Sequence, residues 1–451
     1  MEHQGFISLM PTLVVLLLAL LFKRTFEALL GGSIVGFIFL SKENFFNGFT
    51  DALLKVMQDP TIGWIILVCG LFGSLIHLLV KSGGAMAFAD YLLGYVKSRK
   101  SALIVTWLLG LGIFIDDYLN ALTVGSSMKK VTDRFKVPRE MLAYIVDSTA
   151  APVCVLIPLS TWAIYVGGLL ESEGVVPQGA GLQGYLSAIP FIVYGWVAAI
   201  LVPLVAVNLI PPLGAMKQAE ERAIKGNLIP PDSAAISLDL PKSITKESKL
   251  TYFILPVLIL IIATIFFEID ALKGVMTAII FTITYFLWDK VLSFTQAMDS
   301  VFDGFKTMIY ALAIIIMSFV LKEVNDQLGL TQYIIEMVAP WMSRALLPAI
   351  AFVALAGITF ASGSFWGVYA ISLPIIIPLA QELEVNIFLA IGAVISAGAF
   401  GSHACFYGDA TVLSASASGC NNMAHVMTQL PYALLAGVFS VFIYLGLGFI
   451  M

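Results

Sequence analysis

YIVDSTAAPVCVLIPLSTW, residues 144–162, is apolar enough to enter a bilayer, yet it carries Asp147, Ser148 and Thr149 before Pro152, and Ser160 and Thr161 after Pro158. Each proline removes a backbone donor and disrupts a helix, which frees carbonyls beside these hydroxyls and the one carboxylate. In hydrocarbon such a break is tolerated only inside protein or along a water-filled cavity, and a charge there is costly unless it has a partner. The stretch therefore reads as a broken helix at mid-membrane, the device by which secondary transporters build cation sites. The plainer alternative is a kinked packing helix whose hydroxyls bond back to the preceding turn.

Working outward, the 451 residues are 59% hydrophobic and 12% charged, with a mean hydropathy of +0.96. Apolar runs near the ~20 residues needed to cross a bilayer as helix recur along the whole chain, whereas a barrel would show short alternating segments. Spans are expected near 6–22, 25–40, 60–80, 141–170 and 185–210, with an interrupted segment at 101–128. A polar, proline-bearing connector follows at 211–250. The order then returns: 252–267, 271–288, 305–321, an interrupted segment at 346–380, then 387–415 and 430–450. The first run lacks a basic leader and a small-residue cleavage site, so it reads as a span and not as a signal.

The fold class is accordingly all-α and polytopic, divided as repeat 1–210, connector 211–250 and repeat 251–451. The halves also resemble each other locally: VPREMLAYIVDSTAA (137–151) lies over VNIFLAIGAVISAGA (385–399), with Ser148 over Ser396. If each interrupted segment is a re-entrant hairpin, each half has five full spans, and an odd number inverts the second repeat. With the N-terminus outside, 19 of the 24 Lys and Arg face the cytoplasm, leaving only Lys42, Lys55, Lys273, Lys322 and Arg344 outside. That split follows the positive-inside rule and implies the cell inner (cytoplasmic) membrane.

Three further stretches carry polar groups into apolar surroundings. GIFIDDYLN (112–120) brings Asp116, Asp117 and Asn120 to the turn of the first hairpin. One aspartate there could merely cap a helix, but three oxygen-bearing side chains suit a hard cation. FASGSFWGVYAISLPIIIPLA (360–380) offers Ser362, Gly363 and Ser364 as the opposing tip. SAGAFGSHACFYGDATVLSAS (396–416) holds His403 and Asp409, about two helical turns apart, and Thr411. Histidine as a type exchanges protons near neutrality, though a lone buried one more often only packs. His77 is expected at the interface, and His3, His425 and the connector acids in solvent.

The net charge of −5 gives no support for nucleic-acid binding. Cys69, Cys154, Cys405 and Cys420 lack metal-site spacing, so neither a zinc site nor a disulfide is expected. Neither an H-E-x-x-H helix, a G-x-S-x-G elbow nor a P-loop occurs, which argues against an enzyme.

The stretches GIFIDDYLN, KKVTDRFKVPREMLAYIVDSTAAPV and PLSTW resemble the NhaC-type Na⁺/H⁺ antiporter family of the ion transporter superfamily, and ASGSFWGVYAISLPI, FGSHACFYGDATVLS and TQLPYAL look like its second-half motifs. The resemblance covers most of residues 50–435. It implies Na⁺-coupled secondary transport through paired hairpins and broken helices, by movement of a transport domain against a scaffold. Members exchange Na⁺ for H⁺, swap malate for lactate, or take up amino acids. In one departure Ser402 stands where the family commonly has an acid before the histidine, which makes room for a neutral or zwitterionic solute. The expectation is a Na⁺/H⁺ antiporter working by alternating access; the alternative is a Na⁺-coupled amino-acid or small organic-acid transporter. Na⁺ is expected on Asp116 or Asp117 together with Asp147, Thr149 and Thr161. Na⁺ is the coupling ion and no cofactor is expected; the partners are Na⁺, H⁺, a small organic solute and the lipid bilayer. The oligomeric state stays open, a homodimer included.

Overall fold

The computed structural model describes residues 3–22, 24–114, 117–158, 160–231, 233, 249–268, 270–363 and 365–451. Asp116 and Ser364 lie outside the described residues, as does the side chain of Thr161. Among the described residues all regular structure is helical. Six helices are long and apolar enough to cross a membrane, or up to seven if one bent pair, Gly181–Phe191 with Val193–Ala206, is a single span. The number falls short of the expected spans because several of those are divided among shorter helices. The 141–170 stretch, for instance, forms Arg139–Thr149, Ala151–Cys154 and Thr161–Ser172.

Both halves run through the same order of elements. Each opens with an antiparallel pair, Met10–Phe22 with Thr25–Ser41 and Thr251–Phe266 with Ala271–Trp288, followed by an amphipathic helix, Phe45–Gln58 or Phe294–Thr307. A long apolar helix comes next, Pro60–Lys81 or Ile309–Leu328. The amphipathic helix of the second half packs along the long helix of the first. Small residues make that approach possible: a Cβ on Gly73 would stand 2.5 Å from the carbonyl oxygen of Gly304, and one on Gly304 would stand 2.4 Å from that of Gly73. Ser74 Oγ donates to the Val301 carbonyl at 2.7 Å and locks the register. This helix also covers His77, which is buried near the end of Pro60–Lys81 with Asp303 beside it.

The hairpins and broken helices follow. The first hairpin is Arg99–Gly112 and Asp117–Arg134; the second is Leu347–Ser362 and Phe365–Glu382. Beside them stand the first broken helix, interrupted between Arg139–Thr149 and Thr161–Ser172, and the second, Ile387–Ala404 and Asp409–Ser418. Each broken helix packs on the hairpin of its own half through an exchanged pair of residues. A Cβ on Gly110 would meet Thr149 Oγ1 at 2.2 Å, and one on Gly401 would meet Thr359 Cβ at 2.3 Å. The tips cross over to the other half. Tyr118 donates to Asp409 at the start of the last broken segment, and Phe365 stacks on Trp162 with centroids 3.9 Å apart.

Backbone carbonyls freed by the breaks must find donors, since lipid offers none. Cys154 Sγ donates to Phe114 O and Cys405 Sγ to Phe360 O, each at 3.2 Å. Tyr185 OH serves Val155 O at 2.6 Å, Ser160 Oγ serves Cys154 O at 2.8 Å and Asn422 Nδ2 serves Phe406 O at 2.5 Å. All four cysteines are buried thiols outside any disulfide, two of them acting as such donors.

The connector carries one described helix, Ala215–Ile224, tied to the ends of the hairpin and broken helix of the first half. Arg222 donates to both carboxylate oxygens of Glu140 at 2.7 and 2.8 Å, Arg99 pairs with Glu220, and Arg139 pairs with Asp133 at 2.8 Å. The connector acid Glu220 is thus buried and paired rather than solvated as expected, because its helix lies against the bundle. Burial pushes its carboxyl up from the usual range, with Arg99 acting in the opposite sense. His3, expected in solvent, is half-buried and bonds Glu336 at 2.9 Å.

The Glu140 side chain is 2% exposed, so removing Arg222 strands a buried charge. Arg222→Met is expected to cost about 3 kcal/mol, at the low end for a broken buried pair. Thermal unfolding in detergent checks it, and adding Glu140→Gln should recover much of the loss.

Candidate functional site

The two broken helices bring their polar residues together at one centre. Asp147 sits three residues before the backbone of Ala150 leaves the helical region (φ −81°, ψ −102°). Its side chain has no exposed surface. Oδ2 accepts from His425 Nε2 at 3.1 Å and from Gln429 Nε2 at 2.5 Å. Both donors come from the C-terminal helix, Asn422–Ile450. Gln429 Nε2 also donates to the carbonyl of His403, so one amide ties the carboxylate of the first broken helix to the end of the second.

Beside this carboxylate, His403 Nε2 lies 2.9 Å from Ser148 Oγ and Nδ1 lies 2.7 Å from Tyr194 OH. Asn120, on the second arm of the first hairpin, donates through Nδ2 to Gly110 O at 2.7 Å and to Thr149 O at 2.8 Å. That side chain staples the hairpin to the broken helix where the helix loses its own bonds. Thr149 Oγ1 donates back to Ile145 O at 2.9 Å and Val146 O at 3.0 Å, which leaves its lone pairs and not its proton for other partners.

The remaining expected residues fall at the edges of this centre. Asp117 is buried at the first position of its helix, next to Tyr118. Asp409 opens Asp409–Ser418 and accepts from Tyr118 and from the amide of Ala410 at 2.8 Å. A break at Cys405–Gly408 separates it from His403, so the two are not on one helix two turns apart as expected. Thr411 Oγ1 donates to Ser402 O at 2.8 Å. Ser160 caps its helix, accepting from Ala163 N at 3.2 Å. Ser362 and Gly363 end the first arm of the second hairpin, where Gly363 adopts φ +68° and a Cβ would meet the Tyr407 ring at 2.6 Å. That is a position only glycine fills easily.

Among the described residues, the oxygens buried here without a hydrogen-bond partner include Asp147 Oδ1, Asn120 Oδ1, Gln429 Oε1 and Ser402 Oγ. The amide orientations are fixed by chemistry, because each Nδ2 or Nε2 faces two acceptors and a flipped amide would set oxygen against oxygen. Oxygen lone pairs without donors suit a hard cation. Among the described residues no three His, Cys, Asp or Glu side chains cluster so as to hold a metal ion.

The structure adds His425, Gln429, Tyr194 and Tyr118 to the residues expected at the site, and it buries His425, which the sequence places in solvent. The helix that carries His425 begins at Asn422, two turns before the expected span at 430, which brings His425 and Gln429 inside on one face four residues apart. That i, i+4 spacing is the signal available in AHVMTQ.

Residues 178–449, more than half of the chain, match the model of the Na⁺/H⁺ antiporter family. An uncharacterized protein from Haemophilus influenzae is 30% identical over 484 residues, covering 98% of this chain and 91% of the relative. The family model covers more than half of the chain and the apolar helices are long enough to cross a bilayer: the chain is a membrane protein that belongs to the Na⁺/H⁺ antiporter family.

Proposed function

We propose that the protein is an NhaC-type Na⁺/H⁺ antiporter, working by alternating access between two inverted repeats in the cytoplasmic membrane with its N-terminus outside. The observation that carries this reading is Asp147, whose carboxylate has one oxygen held by two donors and the other oxygen buried without one. A buried acceptor left unsatisfied costs about 1–3 kcal/mol, and a bound cation would offset that cost. Na⁺ is read on Asp147 Oδ1, with Asn120 Oδ1 and Gln429 Oε1 as further donor-free oxygens on side chains whose amides bond the same broken helices.

Asn120 and Gln429 each join two elements, so cation binding at their oxygens would be felt by the first hairpin, both broken helices and the C-terminal helix together. This supports a rigid transport unit moving as one. The exchanged Gly/Thr contacts and the repeated element order support the repeat reading. The sidedness is read from the basic residues: Arg99 and Arg222 pair across the connector helix, through Glu220 and Glu140, whereas Lys55 and Arg344 pair with Glu323 and Glu384 outside it.

A second reading, Na⁺-coupled uptake of an amino acid or small organic acid, is favoured by Ser402, whose Oγ is buried without a partner in a place where the family commonly has an acid. Proteoliposomes loaded with a pH dye separate the two. Antiport predicts internal alkalinisation or acidification driven by a Na⁺ gradient alone. Uptake predicts no response until an amino acid or dicarboxylate is added, and that result would sink the antiport reading.

A further inference from the structure

The Asp147 side chain has no exposed surface, so an ion that reaches it must pass between packed side chains. On the connector side the layer to be crossed is thin. A cavity of about 480 Å³ lies there, lined by Asp133, Arg139, Arg222 and connector residues between Gly226 and Pro231. Arg139 ties this lining to the bundle: Nη2 donates to Asp133 Oδ2 at 2.8 Å, and Nη1 donates to the carbonyl of Ser418 at 2.9 Å. The two side chains are 13% and 29% exposed, so the pair stands at the edge of solvent. From Arg139 the helix Arg139–Thr149 runs to the site. Arg139, Ala143 and Asp147 follow one another at four-residue steps and share one face. At 1.5 Å of rise per residue, Asp147 lies about 12 Å along the axis from Arg139. Between them Ala143 packs with Ala415 and Cys420 in a small cluster of its own, each 1% exposed or less. Ala415 lies on Asp409–Ser418, and Cys420 follows Gly419, which ends that helix in the left-handed region at φ +75°. A Cβ on Gly419 would stand 3.4 Å from Arg139 Nη1 and 3.5 Å from Lys129 Nζ, so two cations hold a helix end whose last carbonyls are negative.

We propose that this face is the ion path on the connector side, with Arg139 and Asp133 as its gate and Ala143, Ala415 and Cys420 as its plug. This rests on the alternating access proposed above and names the residues that close one side. In the closed form Asp133 Oδ1 and Arg139 Nε are buried without a hydrogen-bond partner, so one contact, Nη2 to Oδ2, joins the pair. To open, Arg139 gives up Asp133 Oδ2 and the Ser418 carbonyl and turns into the cavity. The Asp133 carboxylate then faces the incoming cation. The end of Asp409–Ser418, released from Arg139, swings away from Ala143, while Tyr118 still holds the start of that helix through Asp409. The plug residues are small, so a slight swing is enough to part them.

The native thiol of Cys420 reports the opening. Purified full-length protein in detergent is treated with a small cationic methanethiosulfonate, and modification of each cysteine is followed by peptide mass spectrometry. In Arg139→Gln, and separately in Asp133→Asn, Cys420 should react at least about tenfold faster than in the wild type, because removing one partner of a buried ion pair favours the open form. Cys69, buried in Pro60–Lys81, should keep its wild-type rate. Equal acceleration of Cys69 and Cys420 would mean that the pair merely holds the fold together, and it overturns the gate. A Cys420 rate unchanged in either folded variant overturns it as well. Should both variants fail to fold, the wild type decides. Modified before reconstitution, it carries an added group in the path and should lose Na⁺-driven proton movement in proteoliposomes until dithiothreitol removes the group, whereas Cys420→Ser should be insensitive to the reagent. Undiminished exchange in protein modified at Cys420 overturns the path. Failure of the antiport reading shows differently, as no Na⁺-driven proton movement in the untreated wild type, and the thiol rates in detergent still decide the gate.

Discussion

Asp147→Asn is expected to abolish Na⁺-driven proton exchange while leaving the protein in the membrane at near-normal amounts. The carboxylate is fully buried between His425 and Gln429, and an amide of the same shape can still accept from both. What it loses is the charge. Removing one charged partner from a buried contact costs about 3 kcal/mol or more, roughly hundredfold or greater in cation affinity. Two measurements are needed together: ²²Na⁺ binding, and a size-exclusion profile in detergent. Normal binding would remove Asp147 from the site. Lost binding with an aggregated profile would mark it as a structural residue whose charge merely holds the C-terminal helix in place.

The second large effect is expected at Gly401. Its missing side chain lets Ile387–Ala404 lie against the hairpin arm Leu347–Ser362, where a Cβ would come 2.3 Å from Thr359 Cβ and 2.9 Å from the backbone nitrogen of Phe360. A flexible side chain could move aside, but a backbone nitrogen within a helix cannot. Gly401→Val should therefore separate the two helices and remove the site at its base, at a cost above about 3 kcal/mol. Gly357 lies on the same hairpin arm, where an added Cβ would meet no atom within 4 Å, so Gly357→Ala is the control. It is expected to match or slightly exceed the wild type in Tm, because alanine suits a helix better than glycine by about 1 kcal/mol. If both variants transport normally, the close approach is not what holds the site together.

Much of this architecture is legible in the chain alone. Pro152 and Pro158 announce the first break, and the polar residues Asp117, Ser362 and Gly363 mark where the arms of the two hairpins begin or end. These signals are local, since each depends on what a residue does to its own backbone. The partners of Asp147 are not legible for the opposite reason. His425 and Gln429 lie 278 and 282 residues away, and nothing in their neighbourhood says which carboxylate they meet. The connector misleads in the same way: Glu220 reads as a solvated acid on a polar helix until Arg99, more than a hundred positions earlier, is found against it. Asp409 stands out as a polar residue in an apolar run, but its tie to Tyr118 spans 291 residues and belongs to the fold alone.

That separation along the chain also sets a clock. The ribosome adds about 5–20 residues per second, so Asp147 is made roughly 15–60 seconds before Gln429 exists. During this interval the first half is a helical bundle with an acid in its middle and no donor from the C-terminal helix to hold it. The carboxylate must wait in water or in the insertion machinery until Asn422–Ile450, which supplies both of its side-chain donors, has been made. A chain truncated before residue 422 would insert most of its helices and still lack both side chains that hold Asp147 in place.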